Sequence, residues 1–229
     1  MALYAISDLH LAFNLDKPMG IFGDNWLNHE QKIKENWIKK INDKDTVLIA
    51  GDISWAMKKD DSNIDLNWIE ELPGNKIISK GNHDYWWTSI NKLNQSYKTI
   101  KFIQNNYFTY NDYAICGTRG WICPGSDKFT EKDEKIYLRE LIRLRLSLDM
   151  AKKDGYKKII VMLHFPPISE KYEESGFVDI LKEYNIKKVV YGHVHGKGLL
   201  KAIDEEYNEI EYIMTSADYL DFIPRKILE

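Results

Sequence analysis

The chain of 229 residues has only two cysteines, six prolines and no large surplus of either charge: 32 basic side chains face 35 acidic ones, for a net charge of −3. Cys116 and Cys123 form no Cys-x-x-Cys pair and are too few for a disulfide scaffold. They are expected to be reduced thiols in a cytoplasmic protein, and a zinc site built on them is not expected. The slightly acidic balance argues against a dedicated polyanion binder. Nucleic acid is possible but not favoured, since basic groups cluster locally at Lys58 and Lys59 and at Arg139, Arg143 and Arg145. No apolar stretch approaches the roughly 18 residues that a membrane span requires. Met1 leads straight into a strand pattern, so neither a membrane segment nor a secretory signal is expected. There is no repeat, linker or low-complexity segment, and residues 1–229 are expected to form one domain with one well-buried α/β core.

What the chain does have is one pattern used five times. Lys76 to Tyr85 reads Lys-Ile-Ile-Ser-Lys-Gly-Asn-His-Asp-Tyr, a short apolar run that stops at a glycine and delivers Asn82, His83 and Asp84. Ala2–His10 runs into Asp8 and His10, Thr46–Asp52 into Gly51 and Asp52, Ile159–His164 into His164, and Val189–His195 into His193 and His195. Continuous apolar runs read as buried parallel strands, and in open α/β sheets ligands collect beyond the carboxyl ends of such strands. Of the six histidines, only His29 lies outside these five places. A single core histidine is usually satisfied by a backbone carbonyl, but five strand ends carrying Asp, Asn or His point to a shared site. Carboxylate and imidazole together suit Mn, Fe or Zn.

Between the runs, helices are expected over His29–Ile41 with Asn28 as N-cap, Asp60–Leu72, from Tyr85 onward, Glu131–Asp154 and Gly176–Tyr184. Tyr107–Tyr110 and Tyr113–Gly117 are expected to form a hairpin around Asn111-Asp112. Leu199–Ile203 and Glu209–Thr215 read as two further strands. His29 is expected in solvent, Trp86 and Trp87 in the core rather than on a stacking platform, and Arg139, Arg143 and Arg145 on a solvated face paired with Glu140 and Asp149.

The ordered series Asp8-x-His10, Gly51-Asp52, Gly81-Asn82-His83-Asp84, His164 and Gly192-His193-x-His195 resembles the calcineurin-like metallophosphoesterase superfamily over residues 8–195. The resemblance implies an α/β fold, a four-layer α-β-β-α sandwich of two mixed sheets flanked by helices. It also implies two divalent metal ions, Mn first and Fe or Zn as alternatives. Asp8, His10, Asp52 and His195 would hold the first metal and Asp52, Asn82, His164 and His193 the second, with Asp52 bridging. In that scheme a metal-bridging hydroxide attacks phosphorus and His83, oriented by Asp84, protonates the leaving group of a small phosphorylated substrate. Arg119, in the glycine-flanked segment Gly117-Thr118-Arg119-Gly120, is the candidate phosphate clamp. The sequence departs from the family where Ile53-Ser54-Trp55 follows Gly-Asp in place of a further acidic residue. The arginine expected there in the protein Ser/Thr phosphatase branch is missing too.

The alternatives are a phosphodiesterase or nuclease acting on nucleotide or nucleic acid, and a non-catalytic interaction scaffold of the same fold. A nuclease would need a basic groove and usually a capping domain, and nothing after Glu209 supplies one. A scaffold would have lost the ligands or His83, and all are present. An amidohydrolase also uses His-x-His, but there the pair follows the first strand, whereas here it follows a late one.

Overall fold

The computed structural model describes residues 1–229. In chain order the strands are β1 (Leu3–Ala5), β2 (Thr46–Ile49), β3 (Asn75–Ser79), β4 (Ile100–Ile103), β5 (Tyr107–Tyr110), β6 (Tyr113–Thr118), β7 (Lys158–Leu163), β8 (Lys188–Tyr191), β9 (Glu206–Tyr207), β10 (Ile210–Met214) and β11 (Arg225–Leu228). The helices are α1 (His29–Lys40), α2 (Asn63–Glu71), α3 (Ile90–Ser96), α4 (Glu131–Lys153) and α5 (Gly176–Glu183). One sheet has five strands in the order β11-β1-β2-β3-β4, and the other has six in the order β5-β6-β7-β8-β10-β9. Both are mixed: β11, β5 and β9 run antiparallel to their neighbours and the inner strands are parallel.

Strand period explains the layering. Because successive side chains point to opposite faces, Leu3, Ala5, Leu48 and Ile77 turn toward the second sheet and meet Ile115, Ile160, Met162 and Val190 in a core between the sheets. Their neighbours Tyr4, Ile6, Val47, Ile49 and Ile78 turn outward and pack against Ile33 and Trp37 of α1, Leu66 and Ile69 of α2 and Leu93 of α3. Val161, Leu163, Val189 and Tyr191 face Leu144 and Leu148 of α4 and Phe177 and Leu181 of α5. Three apolar layers between four layers of elements make the α-β-β-α sandwich that the resemblance implies. The central strands are buried on both faces, which is why they read as unbroken apolar runs.

The two sheets are joined where their strands end. Ser7, just past β1, donates its N–H to the Thr215 carbonyl at 2.7 Å, and its carbonyl accepts from Ala217 at 2.9 Å. Its hydroxyl lies 2.7 Å from the Thr215 hydroxyl and accepts the Ala50 N–H at 2.9 Å. One serine thus ties the ends of β1 and β2 to the end of β10, and the site is built around that seam.

Several local expectations need correction. Helix α3 begins at Ile90, not at Tyr85, because residues 83–87 turn instead: Tyr85 donates to the His83 carbonyl at 2.8 Å and the Trp86 indole to Asp84 at 3.0 Å. Trp86 is buried, as expected. Leu199–Ile203 is not a strand; Gly196–Lys201 forms a 3-10 helix with Leu200 in solvent, and the sheet edge is instead β9. Asn28 precedes α1 in a left-handed conformation with no side-chain cap bond. His29 is buried rather than solvated, since the first turn of α1 docks beneath the loop after β1 and its Nε2 lies 3.0 Å from the Leu9 carbonyl. Glu140 is fully buried rather than on a solvated face, while Arg145 pairs with Glu183 at 2.7 Å. No helix is long and apolar enough to cross a membrane.

Lys76 in β3 is fully buried, and its ammonium donates to the Leu72 carbonyl at the end of α2 and to Thr99 Oγ1 at 3.2 Å. The cation satisfies an orphan carbonyl at a helix C-terminus. Burial nevertheless pulls its pKa from 10.5 down to about 8, against the opposing pull of Glu70 and Asp43. The folded lysine therefore releases its proton at lower pH than the unfolded one, and between those two values the unfolded chain binds the extra proton, so folding stability rises with pH there. From pH 8 to 10.5 this one group is expected to add on the order of 3 kcal/mol to the wild type, read as the difference between its denaturant midpoints and those of Lys76→Met. That increment should be missing from Lys76→Met; parallel curves for the two proteins would refute it.

Candidate metal centre

Each sequence-predicted group arrives from the carboxyl end of a strand. Asp8 and His10 follow β1, Asp52 follows β2, Asn82, His83 and Asp84 follow β3, His164 follows β7, and His193 and His195 follow β8. The backbone turns sharply to bring them inward: Asp8 (φ 59°), His10 (φ 47°), Asp52 (φ 52°) and His193 (φ 72°) are all left-handed. Non-glycine residues in that region cost on the order of 1–3 kcal/mol each, and such strain gathers at functional sites. Gly81 is required by close approach, because a Cβ there would overlap both the Asp52 carboxylate and its backbone nitrogen.

The side chains form two clusters whose ligand atoms all lie within 4.8 Å of one another, Asp8 with His10 and His195, and Asp52 with His164 and His193. Asp52 links them: its Oδ2 is 3.4 Å from His164 Nε2 and 3.9 Å from His10 Nε2. Asn82 Oδ1 joins the second cluster at 2.7 Å from His164 Nε2, and His193 Nδ1 lies 3.3 Å from the same nitrogen. His164 Nδ1 faces the Ala50 carbonyl at 2.9 Å, which fixes that nitrogen as a donor and leaves Nε2 to the cluster. His195 is held likewise, with Nδ1 2.8 Å from Asp218 and a buried Nε2 that has no hydrogen-bond partner. His10 Nδ1 is a second buried nitrogen without a partner. Aromatic rings wall the site: Trp55 stacks on His10 at 4.9 Å between centroids and touches His83 at 4.4 Å, and Trp26 abuts His10 and His195.

His83 is half-exposed at the rim. Its N–H donates to Asp52 Oδ1 at 2.8 Å and its Nε2 lies 4.0 Å from Asp52 Oδ2. Burial lowers its pKa below the usual imidazole value, partly offset by Asp52. Asp84 does not orient the His83 ring. Its fully buried carboxylate accepts the N–H groups of Gly81 (2.7 Å), Ile53 (2.9 Å) and Asp52 (3.0 Å) and the Trp86 indole, so it shapes the two metal-facing loops instead. The Arg119 guanidinium lies 3.3 Å from Glu140 and over the face of Trp121, in a separate cavity that none of the seven candidate ligands lines. Asp218 was not foreseen. The signal was there, since the apolar run of β10 ends in Thr215-Ser216-Ala217-Asp218, the same strand-to-carboxylate pattern seen elsewhere.

Electrostatics divides the imidazoles in two. Burial opposes protonation of His164, but Asp52 and Asp8 outweigh it and hold its pKa up at about 9; Asp218 and Asp8 likewise hold buried His195 at about 10. Burial keeps His193 near 3 and His10 near 4, where neighbouring imidazolium charge adds to the effect. Burial would raise the Asp8 and Asp52 pKa values, yet histidine contacts pull both below the ordinary carboxylate range. Two protons at His164 and His195 thus neutralise a dry pair of carboxylates, a task that divalent cations would take over. Carboxylate, amide oxygen and neutral imidazole, with the orphaned His195 Nε2 turned toward Asp8, fit such ions.

An α/β sandwich with Asp/His clusters across its strand ends has the form of a metallohydrolase. Residues 1–197 match the profile of the calcineurin-like phosphoesterase family, and the chain belongs to that family, which implies divalent metal ions. Over 78 residues the chain is 33% identical to the Gene 66 protein of Mycobacterium phage L5, a match spanning 34% of this chain and 37% of that protein; the chain thus matches little more than a third of that relative's length. Among solved structures, phosphopantetheinyl hydrolase (PptH) from Mycobacterium tuberculosis superposes with a TM-score of 0.58 at 14% identity, covering 99% of this chain and 95% of that one. AQ665 of Aquifex aeolicus, a protein of unknown function, gives 0.53 at 20% identity, covering 98% and 95%. These two likenesses establish the shared fold.

Cations are expected to displace the protons on His164 and His195, so loading the apo-protein at pH 7 should release about two protons per molecule. Calorimetry in buffers of different ionisation enthalpy reads that number directly, and zero release would contradict it. Asp218→Ala is expected to weaken metal affinity about 10–100-fold through loss of His195 orientation, measured by competition with a chromophoric chelator; unchanged affinity would remove Asp218 from the centre.

Proposed function

We propose that this protein is a dinuclear-metal phosphoester hydrolase acting on a small phosphorylated molecule. One observation carries the proposal: two His/carboxylate clusters lie side by side with Asp52 between them, its Oδ2 3.9 Å from His10 Nε2 of one and 3.4 Å from His164 Nε2 of the other. Asp8, His10, Asp52 and His195 would hold one cation, and Asp52, Asn82, His164 and His193 the other. Two divalent ions so held would supply activation of a water nucleophile and neutralisation of the phosphoryl oxygens in the transition state. Mn suits the oxygen-rich share of this donor set, with Fe or Zn as the alternatives.

The protein's own side chains do the rest. Asn82 contributes a neutral oxygen and keeps the centre from accumulating negative charge. The His164 and His195 rings are fixed from behind by the Ala50 carbonyl and by Asp218. Trp26 and Trp55 close the histidine cluster off on the first-sheet side, and that exclusion of water strengthens its electrostatics. His83 stands at the open edge, where it donates a proton to the departing oxygen. A cavity of about 690 Å³ starts at His193 and His195 and runs between Phe165, Ile168 and Ile203 toward Lys197 and Lys201. This cavity takes the leaving group; its walls are apolar with Lys128, Lys197 and Lys201 set against Asp127 and Glu170, which suits a partly apolar molecule. The unpaired thiols Cys116 and Cys123, both buried, accord with a cytoplasmic location. Residues 1–229 act as one domain, since the proposed ligands are drawn from both sheets.

Protein loaded with Mn²⁺ is expected to hydrolyse p-nitrophenyl phosphate or bis-p-nitrophenyl phosphate, and to stop when a chelator strips the metal. His83→Ala should keep its metal content while kcat falls by about 10²–10⁴. Hydrolysis that survives chelation would dispose of the metal mechanism, and a fully active His83→Ala would dispose of the proton-donor role.

A further inference from the structure

A second cavity, of about 260 Å³, opens on the other flank of the strand ends. It lies where β3, β4 and β6 end against the middle of α4, and its charged lining is Lys80, Arg119, Arg139, Arg143 and Glu140. Four cations against one carboxylate leave a surplus of three positive charges. Glu140 is fully buried and already well served: it accepts from Arg143 at 2.8 Å, from Arg119 at 3.3 Å and from the Thr118 hydroxyl, with Arg139 Nε a further 3.9 Å away. Neutralising Glu140 needs one arginine. Gathering three, with a lysine beside them, costs like-charge repulsion that a bound anion would relieve.

The arrangement also holds an unused donor. Arg119 Nε is buried and has no hydrogen-bond partner, while stacking on Trp121 at 4.4 Å keeps the guanidinium plane fixed. A buried donor left unpaired costs on the order of 1–3 kcal/mol. Planar guanidinium groups converging on a small volume are the usual protein solution for binding two oxygens of one phosphate. The cavity is smaller than pockets for drug-sized ligands, so its occupant is a phosphoryl group with little attached.

We infer that this cavity is an anion site that binds a phosphate-class dianion separately from the metal centre. Arg119, expected from sequence to clamp a substrate phosphate at the metal centre, lies in this second pocket instead. The site is continuous with the metal loops through the main chain. The Arg119 carbonyl accepts the N–H groups of His164 at 2.9 Å and Phe165 at 3.0 Å, and Lys80 directly precedes Gly81-Asn82-His83.

Inorganic phosphate titrated calorimetrically into Asp52→Asn, in which the metal centre is disabled, is expected to reveal one site. Adding Arg139→Gln and Arg143→Gln should weaken that site about tenfold or more. Arg139→Gln alone, whose side chain is 51% exposed and so not needed for folding, should weaken it several-fold and leave p-nitrophenyl phosphate hydrolysis unchanged. Absence of phosphate binding in Asp52→Asn, or equal affinity with and without the two arginines, overturns the inference. The readout is binding, so a protein that hydrolyses no ester yet shows the arginine-dependent site would refute the proposed function and leave the anion site standing.

Discussion

Two carboxylates, Asp8 and Asp52, are held almost free of solvent where the ends of two sheets meet, and the rest of the site follows from the need to compensate them. Charge in a dry interior persists only if it is paired and hydrogen-bonded. The chain meets that requirement with four imidazoles, two of them set to carry protons, and with backbone donors such as the His193 N–H, which lies 2.9 Å from Asp8. Asp84 plays the complementary part, gathering backbone N–H groups from both the Asp52 and the Asn82 loops so that neither can drift. The left-handed residues are tolerated because these contacts over-determine them.

Much of this was legible because burial on both faces leaves a plain mark. The inner parallel strands write themselves as apolar runs, and their ends are labelled by polar residues that would otherwise have no reason to interrupt a core. Asp8, Asp52, Asn82, His164, His193 and His195 were all found on that basis, and the structure brings them together. The same rule applied to β10 would have found Asp218. Half-buried strands carry a weaker mark, which is why Leu199–Ile203 could be mistaken for one when Gly196 and Gly198 favour a tight turn.

What sequence could not supply was direction. Asp84 stands next to His83 in the chain, yet the turn at residues 83–87 sends its carboxylate back into the loops and away from the imidazole. Arg119 is flanked by glycines at a strand end, yet its guanidinium swings toward Glu140, a residue some twenty positions on in α4. His29 looked like a first-turn surface residue because nothing in α1 itself reveals the loop that covers it. For Arg119 and His29 the deciding contact is long-range, and for Asp84 a local turn acts together with the distant N–H groups of Asp52 and Ile53.

The serine seam bears on how the molecule comes apart. Each cluster takes members from both sheets: Asp8 and His10 are matched by His195, and Asp52 by His164 and His193. An ion seated in either cluster would therefore act as a rivet through the sandwich, reinforcing what Ser7 and Thr215 begin. Neither layer could then melt while its partner stayed intact, and occupancy would make unfolding a single concerted event whose midpoint moves with free cation concentration.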